Sequence, residues 1–116
     1  MALKVLRKNW QFRQAYRQGK KIVCKHAIIF FLDRLEENEA ARVGVVASKR
    51  VGGAVQRNRA KRLLREAFRQ ISKDLKQQDF WIVAVARSSI LNVTYQETLM
   101  DIRSKLAAEG VLNNDG

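Results

Sequence analysis

The chain has 116 residues, which is enough for one domain with one modest hydrophobic core and too few for a second. Its residues are 47% hydrophobic and 29% charged, a balance that indicates a folded globular protein and excludes a disordered polar tail. The 23 Lys and Arg against 11 Asp and Glu give a formal net charge of +12, which favours a polyanionic partner.

The positive charge is concentrated in two segments. Residues 1–25 hold eight basic side chains and no acidic one, and residues 49–65 hold seven more, again without an acid. The rest of the chain is mildly acidic. The sequence therefore predicts localised basic surfaces, which is the pattern expected of a nucleic-acid-binding protein.

The first predicted element is a short helix over Asn9–Gln18. Asn9 is a plausible N-cap, and Gly19 is a plausible stop. Phe12 and Tyr16 lie one turn apart on one face of this helix. The residues before it, 1–8, are expected to be flexible.

Two strands follow, at Ala27–Leu32 and Arg42–Ser48, because both segments are rich in branched and aromatic residues. The acidic segment Asp33–Glu39 between them predicts a turn, so we expect the two strands to pair antiparallel.

The clearest periodicity in the sequence predicts an amphipathic helix from Ala54 to about Ser72. Apolar residues recur at i, i+3 and i+4, and basic residues occupy the opposite side. The apolar positions are Ala60, Leu63, Leu64, Ala67, Phe68 and Ile71. One helix thus presents an apolar face inward and a cationic ridge outward.

Phe80–Ala86 is apolar almost throughout, as expected of a central strand covered on both faces. With the preceding strand and helix it forms a β-α-β unit with a parallel pair. A last helix starts at Thr94, whose spacing to Glu97 is that of a capping box, and ends at Gly110, after which residues 111–116 are expected to fray. The predicted fold class is α+β, a single-domain α-β-β-α-β-α sandwich with a mixed sheet spanning residues 1–116.

Side chains suited to catalysis are scarce. His26 is the only histidine and Cys24 the only cysteine, which excludes a His-based metal cluster and an intramolecular disulfide and fits a reducing cytoplasm. The cluster Glu36, Glu37 and Glu39 falls in a predicted turn, where a solvated role is favoured over Mg²⁺ binding. No catalytic residue is predicted in this chain.

The segment from Val51 to Arg59 predicts a phosphate-binding device instead. A glycine turn leads into a helix, where free backbone N–H groups and the helix dipole favour an anion. Cations at this end are opposed by the dipole, and the first acid that could pair with them is Glu66. Phe12, Tyr16 and Phe30 add aromatic rings that could stack on unpaired bases.

The segment Arg57-Asn58-Arg59 closely resembles the Arg-Asn-Arg signature of the protein subunit of bacterial ribonuclease P. The likeness continues to Arg69 and is preceded by the matching segment Ser48-Lys49-Arg50-Val51-Gly52. The segments Leu6–Phe12, Arg42–Gly44 and Thr94–Glu97 resemble that family too, so the likeness covers nearly the whole chain. Gly53 stands where many relatives have Asn, and Ala60 where many have a larger aliphatic residue.

The resemblance implies that the chain joins a large catalytic RNA, which uses Mg²⁺ to remove 5′ leaders from precursor tRNA, and that the protein alone binds no metal tightly. It implies an RNA-binding surface and a leader cleft between the Arg-Asn-Arg helix and the sheet, lined by Phe12, Tyr16 and Phe30. It also implies a left-handed β-α-β crossover. The expected RNA-binding residues are Lys49, Arg50, Arg57, Asn58, Arg59, Lys61, Arg62 and Arg65.

Three other functions fit the sequence less well. A ribosomal or other structural RNA-binding protein would share the charge but leave the dense motif and the aromatic residues unexplained. A helix-turn-helix DNA regulator needs a second short helix where residues 40–53 indicate strand and turn. A self-sufficient nuclease would need catalytic side chains that this sequence lacks.

The apolar runs are far shorter than the roughly 20 residues of a membrane helix, and no signal peptide is apparent, so we expect a cytoplasmic protein with no membrane contact and no obligate protein partner.

Overall fold

The computed structural model describes residues 4–33, 41–76 and 80–113, which form one α+β domain. The three helices are α1 (Asn9–Gln18), α2 (Ala54–Ile71) and α3 (Tyr95–Ala108). The strands are β1 (Lys4–Val5), β2 (Lys20–Val23), β3 (Ala27–Asp33), β4 (Arg42–Val46) and β5 (Phe80–Ala86). All three predicted helices and all three predicted strands are thus present, with bounds close to those expected.

Strand β5 lies at the centre of the sheet, whose order is β1-β4-β5-β3-β2. It pairs parallel with β4, as predicted, and antiparallel with β3. The predicted antiparallel pairing of Ala27–Leu32 with Arg42–Ser48 is wrong, because β5 separates these two strands. Residues Phe80 to Ala84 are buried on both faces of the sheet, so the most apolar strand takes the position with a neighbour on each side. Of the predicted turn Asp33–Glu39, Asp33 is the last residue of β3, and residues 34–39, which hold the glutamate cluster, lie outside the described residues.

The sequence did not predict two short strands at the edges of the sheet. β1 pairs parallel with β4, and β2 pairs antiparallel with β3. Both are short and lysine-rich, which hides the alternation that identifies longer strands. The flexibility expected of residues 1–8 and 111–116 stays a prediction; within these ranges Leu6 is buried and Leu112 forms a β-bridge with Leu75.

The connection from β4 through α2 to β5 is left-handed. The N–H of Leu6 donates to the carbonyl of Val43 at 3.1 Å, so this carbonyl points toward β1. The side chain of Val43 packs in the core beneath α2. For an L-residue seen with its side chain toward the viewer and its strand running upward, the carbonyl points right. Viewed from α2, β1 therefore lies right of β4 and β5 lies left. This confirms the expected crossover, although about 98% of such connections have the opposite hand.

The helices cover opposite faces of the sheet. α2 and α3 pack on one face, where the main core includes Leu64, Phe68 and Ile102, all fully buried. α1 packs on the other face over a smaller cluster that contains Ala15 and Trp81. Among the described residues, no helix has the length and apolar composition needed to cross a membrane.

Three of the four predicted helix-end residues lie where expected, including Gly110, which follows α3 with φ +76°. Gly19 follows α1, and the Thr94 hydroxyl accepts a hydrogen bond from the N–H of Glu97 at the start of α3. The predicted N-cap Asn9 is wrong, since it is the first helical residue and Lys8 takes the cap position. Lysine has no acceptor, so the buried Gln11 side chain reaches back and accepts from the N–H of Lys8 at 3.1 Å.

Asp101 ties α3 to the tight turn between β2 and β3. Its two carboxylate oxygens accept hydrogen bonds from the backbone N–H groups of Lys25 at 3.0 Å and His26 at 2.9 Å. Both donors belong to the turn, where strand pairing supplies no partner for them. One side chain thus satisfies two turn donors across more than 70 residues of sequence.

Replacing Asp101 with Ala should lower the free energy of unfolding by about 1–3 kcal/mol, because two N–H groups lose a charged acceptor. Urea denaturation measures this loss. Ser104→Ala, one turn further along the same helix and exposed, is the matched control and should change stability by less than about 0.5 kcal/mol. Equal effects of the two substitutions would show that Asp101 does not anchor the turn.

Candidate nucleic-acid interface

A tight turn after β4 positions the start of α2. The N–H of Val51 donates to the carbonyl of Ser48, and that of Gly52 donates to the carbonyl of Lys49. Val51 is buried in the main core, which fixes the turn to the body of the domain. Gly52 has φ +147°, a conformation that glycine adopts readily and L side chains rarely do. The turn is thus held by one apolar anchor and one glycine.

The eight side chains predicted to bind RNA all reach the surface at this turn and along α2. Arg57 and Lys61 are half-buried and the other six are exposed; the set is Lys49, Arg50, Arg57, Asn58, Arg59, Lys61, Arg62 and Arg65. Within the described residues, none of the seven cations in this set has a carboxylate at ion-pair distance. The structure thus brings the predicted residues together as one uncompensated surface, which we call the cationic ridge.

The two ends of α2 differ in charge compensation. Near its C-terminus, Arg69 pairs with Glu66 at 2.8 Å and lies at the end that the helix dipole favours for a cation. At the N-terminus, the first turn contains no acid and the N-cap is Gly53, which has no side chain to accept a hydrogen bond. Lys49, Arg50 and Arg57, the ridge cations nearest this end, therefore sit where the dipole opposes them, and a bound anion would relieve both the missing ion pairs and the dipole cost.

The three aromatic residues predicted to line a cleft lie together, on α1 and on the sheet face that α1 covers. Tyr16 and Phe30 meet edge to face with ring centroids 4.9 Å apart. Phe12 packs over Gly44, since a Cβ built on that glycine would come 2.5 Å from the ring. All three lie between α1 and the sheet face opposite the one that α2 covers. The expected placement between the Arg-Asn-Arg helix and the sheet is therefore wrong, because α1 forms the aromatic wall.

A row of apolar side chains continues from this wall across four strands. Val46 pairs with Val85, Val85 with Ile28, and Ile28 with Val23, so the four residues stand side by side on the α1 face. Val23 is 51% exposed and the other three are half-buried. α1 covers the adjacent rows and leaves this one open. We call the open row with its wall of Phe12, Tyr16 and Phe30 the aromatic cleft.

The row was not predicted, although the signal was present in the sequence. Alternation along β4 and β5 assigns Val46 and Val85 to one face, but only the strand register shows that they are neighbours. The cleft floor ends beside the turn that carries Lys49 and Arg50, three and four residues after Val46. The cleft and the cationic ridge thus adjoin at one edge of the sheet.

A second concavity lies at the β1 edge, between this strand and the C-terminal half of α2. Its volume is about 540 Å³, and its lining combines apolar side chains with four cations. The lining residues are Lys4, Val5, Leu6, Phe12, Val43, Val45, Arg65, Arg69, Ser72 and Lys73. Sequence reasoning missed this cavity because it missed β1.

His26 and Ser89 form a hydrogen bond of 2.8 Å between the ring Nδ1 and the hydroxyl. The Ser89 hydroxyl donates to the carbonyl of Lys25, so the ring nitrogen is the donor of the pair. Asp101 accepts from the backbone N–H of His26 and not from its ring. The arrangement braces the turn and provides no base to activate Ser89.

Cys24 is buried, and burial together with the nearby charge of Asp101 raises the pKa of the thiol to about 12. A thiol of this kind is not a nucleophile at neutral pH. Among the described residues there is also no group of three or more His, Cys, Asp or Glu side chains that could hold a metal ion.

Comparisons with known proteins agree on one family. The family model described as Ribonuclease P matches residues 2–108. The ribonuclease P protein component of Bacillus pumilus is 37% identical over 93 residues, which is 80% of this chain and 76% of the relative. That of Symbiobacterium thermophilum is 32% identical over 111 residues, covering 96% and 95% of the two chains.

Solved structures show the same fold. The ribonuclease P protein of Staphylococcus aureus superposes with a TM-score of 0.79 at 25% identity, covering 94% of this chain and 97% of that one. The protein from Thermotoga maritima gives a TM-score of 0.73 at 23% identity, with 87% and 93% covered.

Replacing Gly44 with Ala should push the Phe12 ring out of the aromatic cleft, since the new Cβ would come 2.5 Å from the ring and 3.2 Å from Leu6. We expect a loss of about 1–3 kcal/mol in stability from overpacking. Gly53→Ala is the control, because its nearest contact is the movable end of Gln56 at 3.2 Å. Thermal unfolding measures both, and equal stability of the two variants would contradict the packing of Phe12 on Gly44.

The Cys24 thiol should not react with a disulfide reagent in the native protein at pH 8, because its pKa is raised to about 12 by burial. It should react at once when the protein is unfolded in denaturant. Fast native-state labelling, with the fold intact by circular dichroism, would contradict the burial of this side chain.

Proposed function

The chain belongs to the ribonuclease P protein family, and from this premise we propose that its two surfaces bind two RNAs, the catalytic RNA on the cationic ridge and the 5′ leader of precursor tRNA in the aromatic cleft. Its role is that of the protein component of ribonuclease P, in maturation of the tRNA 5′ end. The observation that carries the proposal is the separation of these surfaces onto opposite sides of one sheet.

Binding of structured RNA by the cationic ridge follows from its charge and its position. RNA phosphates would neutralise cations that have no carboxylate partner among the described residues. They would also occupy the positive end of the α2 dipole, and each contact would release counterions. Arginine predominates in the ridge, and its planar fork suits phosphate recognition.

The aromatic cleft suits single-stranded RNA. Its rings are held in place yet partly exposed, with Tyr16 at 40% exposure and Phe30 half-buried against it. Unpaired bases stack on rings of this kind without regard to sequence, as a leader that differs between tRNAs requires. The apolar floor of Val46, Val85 and Ile28 excludes water beneath the bases, and Lys49 and Arg50 at the edge can contact the backbone phosphates.

The hydrolysis itself is assigned to the RNA partner. The side chains of the described residues supply no activated nucleophile, and they form no cluster that fits Mg²⁺. In this proposal the metal ions that the reaction uses are held by the catalytic RNA, and the protein positions the substrate. We place the assembled complex in the cytoplasm, without a membrane or an obligate protein partner.

The purified protein, free of RNA, should not cleave precursor tRNA even with abundant Mg²⁺. Adding a ribonuclease P RNA should restore cleavage at the leader junction. Gel analysis of 5′-labelled precursor tRNA measures both reactions. Specific cleavage that copurifies with the RNA-free protein and survives nuclease inhibitors would contradict the proposal.

Replacing Arg59 and Arg62 with Ala should weaken RNA binding broadly and reduce its salt dependence. Each lost phosphate contact lowers the slope of log affinity against log salt by about 0.7 to 0.9. Affinity of the reconstituted complex for precursor and mature tRNA, and of the protein for the catalytic RNA, is measured over a salt series. An unchanged slope would show that these two side chains do not contact phosphate.

Replacing Phe12 and Tyr16 with Ala should leave that slope nearly unchanged, because stacking releases few ions. It should weaken binding of leader-bearing precursor tRNA by roughly 1–3 kcal/mol for each stacked base, while mature tRNA is unaffected. Circular dichroism confirms folding of the variant. If precursor and mature tRNA are lost equally, the two rings serve the core and the cleft assignment is wrong.

A further inference from the structure

We propose that the outer flank of α1 carries a second single-stranded RNA site, built from Trp10, Arg13 and Arg17, which holds leader nucleotides beyond those in the aromatic cleft. The inference rests on the proposed function, because it extends the path of the same leader. It assigns a ligand to a surface that neither the Arg-Asn-Arg segment nor the aromatic cleft includes.

Trp10 is presented to solvent in a fixed orientation. Its side chain is 49% exposed, which makes it one of the large hydrophobic side chains left on the surface. Its ring meets the fully buried Trp81 edge to face, with centroids 5.7 Å apart. The contact holds the indole while about half of it stays accessible. A ring ordered in this way can stack on a base without losing further side-chain entropy.

Polar and cationic groups surround the exposed indole. Trp10, Arg13, Gln14, Arg17 and Gln18 line a shallow concavity of about 360 Å³. Arg13 and Arg17 lie one turn apart on the same helix face, within reach of successive phosphates. α1 contains no acidic residue, and neither arginine has an ion-pair partner among the described residues. An anionic chain with a planar base matches this combination, whereas an apolar protein partner would leave both arginines unpaired.

The outer flank of α1, which carries Trp10, and the aromatic cleft lie on different sides of this helix. At about 100° per residue, Phe12 and Tyr16 lie roughly 200° and 240° around the helix axis from Trp10. The two sides meet at the N-terminal end of α1, where Arg7 and Lys8 are exposed and the first turn holds no acid. A single strand that leaves the cleft past Phe12 can round this positive end and reach Trp10.

The test uses the reconstituted holoenzyme and precursor tRNAs with a short leader, which fills only the cleft, or a long one. Trp10→Ala should weaken binding of the long-leader substrate about tenfold, within the range of one stacked base. It should leave the short-leader substrate and mature tRNA unchanged. Trp10→Phe keeps a ring and should retain part of the long-leader affinity.

The double variant Arg13→Gln with Arg17→Gln tests the phosphate contacts without touching the indole. For the long leader it should lower the slope of log affinity against log salt by about 1.4, for two contacts to a single strand. Lys73→Gln with Lys76→Gln removes the same charge from two exposed positions after α2, and should leave the slope unchanged. Thermal melts of all variants report folding, and the arginine variant decides the question if Trp10→Ala is unstable.

Tryptophan emission gives a direct readout, because the chain has two tryptophans and Trp81 is fully buried. Long-leader substrate should quench the fluorescence of the exposed Trp10, and short-leader substrate should not. Trp10→Phe should abolish the quenching by the long leader. Loss of affinity that is equal for all substrates, or no loss for the long leader, would overturn the proposal. A wrong assignment of the aromatic cleft would show separately. In that case variants of Phe12 and Tyr16 would still bind short-leader precursor tRNA more tightly than mature tRNA, which has no leader.

Discussion

The burial of β5 on both faces is the constraint on which the rest of the structure depends. A strand that is apolar on both sides needs a helix layer above and below, and here α2 and α3 supply one layer and α1 the other. The left-handed crossover carries α2 to its side and β5 into the gap between β4 and β3. The cationic ridge and the aromatic cleft are consequently built on opposite faces of a shared sheet, and they adjoin where β4 ends and at the β1 cavity, which both Phe12 and Arg65 line.

The two surfaces differ in the physics of binding. The ridge gathers cations that have no carboxylate partner among the described residues, and those nearest the start of α2 are also opposed by the helix dipole, so its binding free energy depends on charge and is sensitive to salt. The cleft holds rings that are already packed, Tyr16 on Phe30 and Phe12 on Gly44, so its energy comes from stacking and apolar contact. A protein that must grip a folded RNA while accepting variable leader sequences gains from keeping these interactions apart.

Much of this organisation could be predicted from the sequence. The 3.6-residue period gave α2 within about one residue of its observed end, and the Arg57-Asn58-Arg59 segment identified the ridge. Sheet order was harder, because period-2 alternation assigns faces but not neighbours, and proximity in sequence wrongly paired β3 with β4. The strands β1 and β2 are too short and lysine-rich to stand out. Phe12 and Tyr16 were assigned correctly to the first helix, but the cleft was expected beside α2, because which sheet face α1 covers depends on long-range register.

The central claim is that the ridge and the cleft act independently on different RNAs, and the most direct test is a double-mutant cycle on leader discrimination. The measured quantity is the ratio of holoenzyme affinities for precursor and mature tRNA, at protein concentrations that saturate the catalytic RNA. Arg59→Ala with Arg62→Ala should leave this ratio unchanged, Phe12→Ala with Tyr16→Ala should reduce it, and all four together should match the aromatic variant within about 0.5 kcal/mol. The account would be contradicted if the Arg59 and Arg62 variant alone lowered the ratio of affinities for precursor and mature tRNA. A coupling energy between the two pairs of substitutions well above about 0.5 kcal/mol would contradict it too.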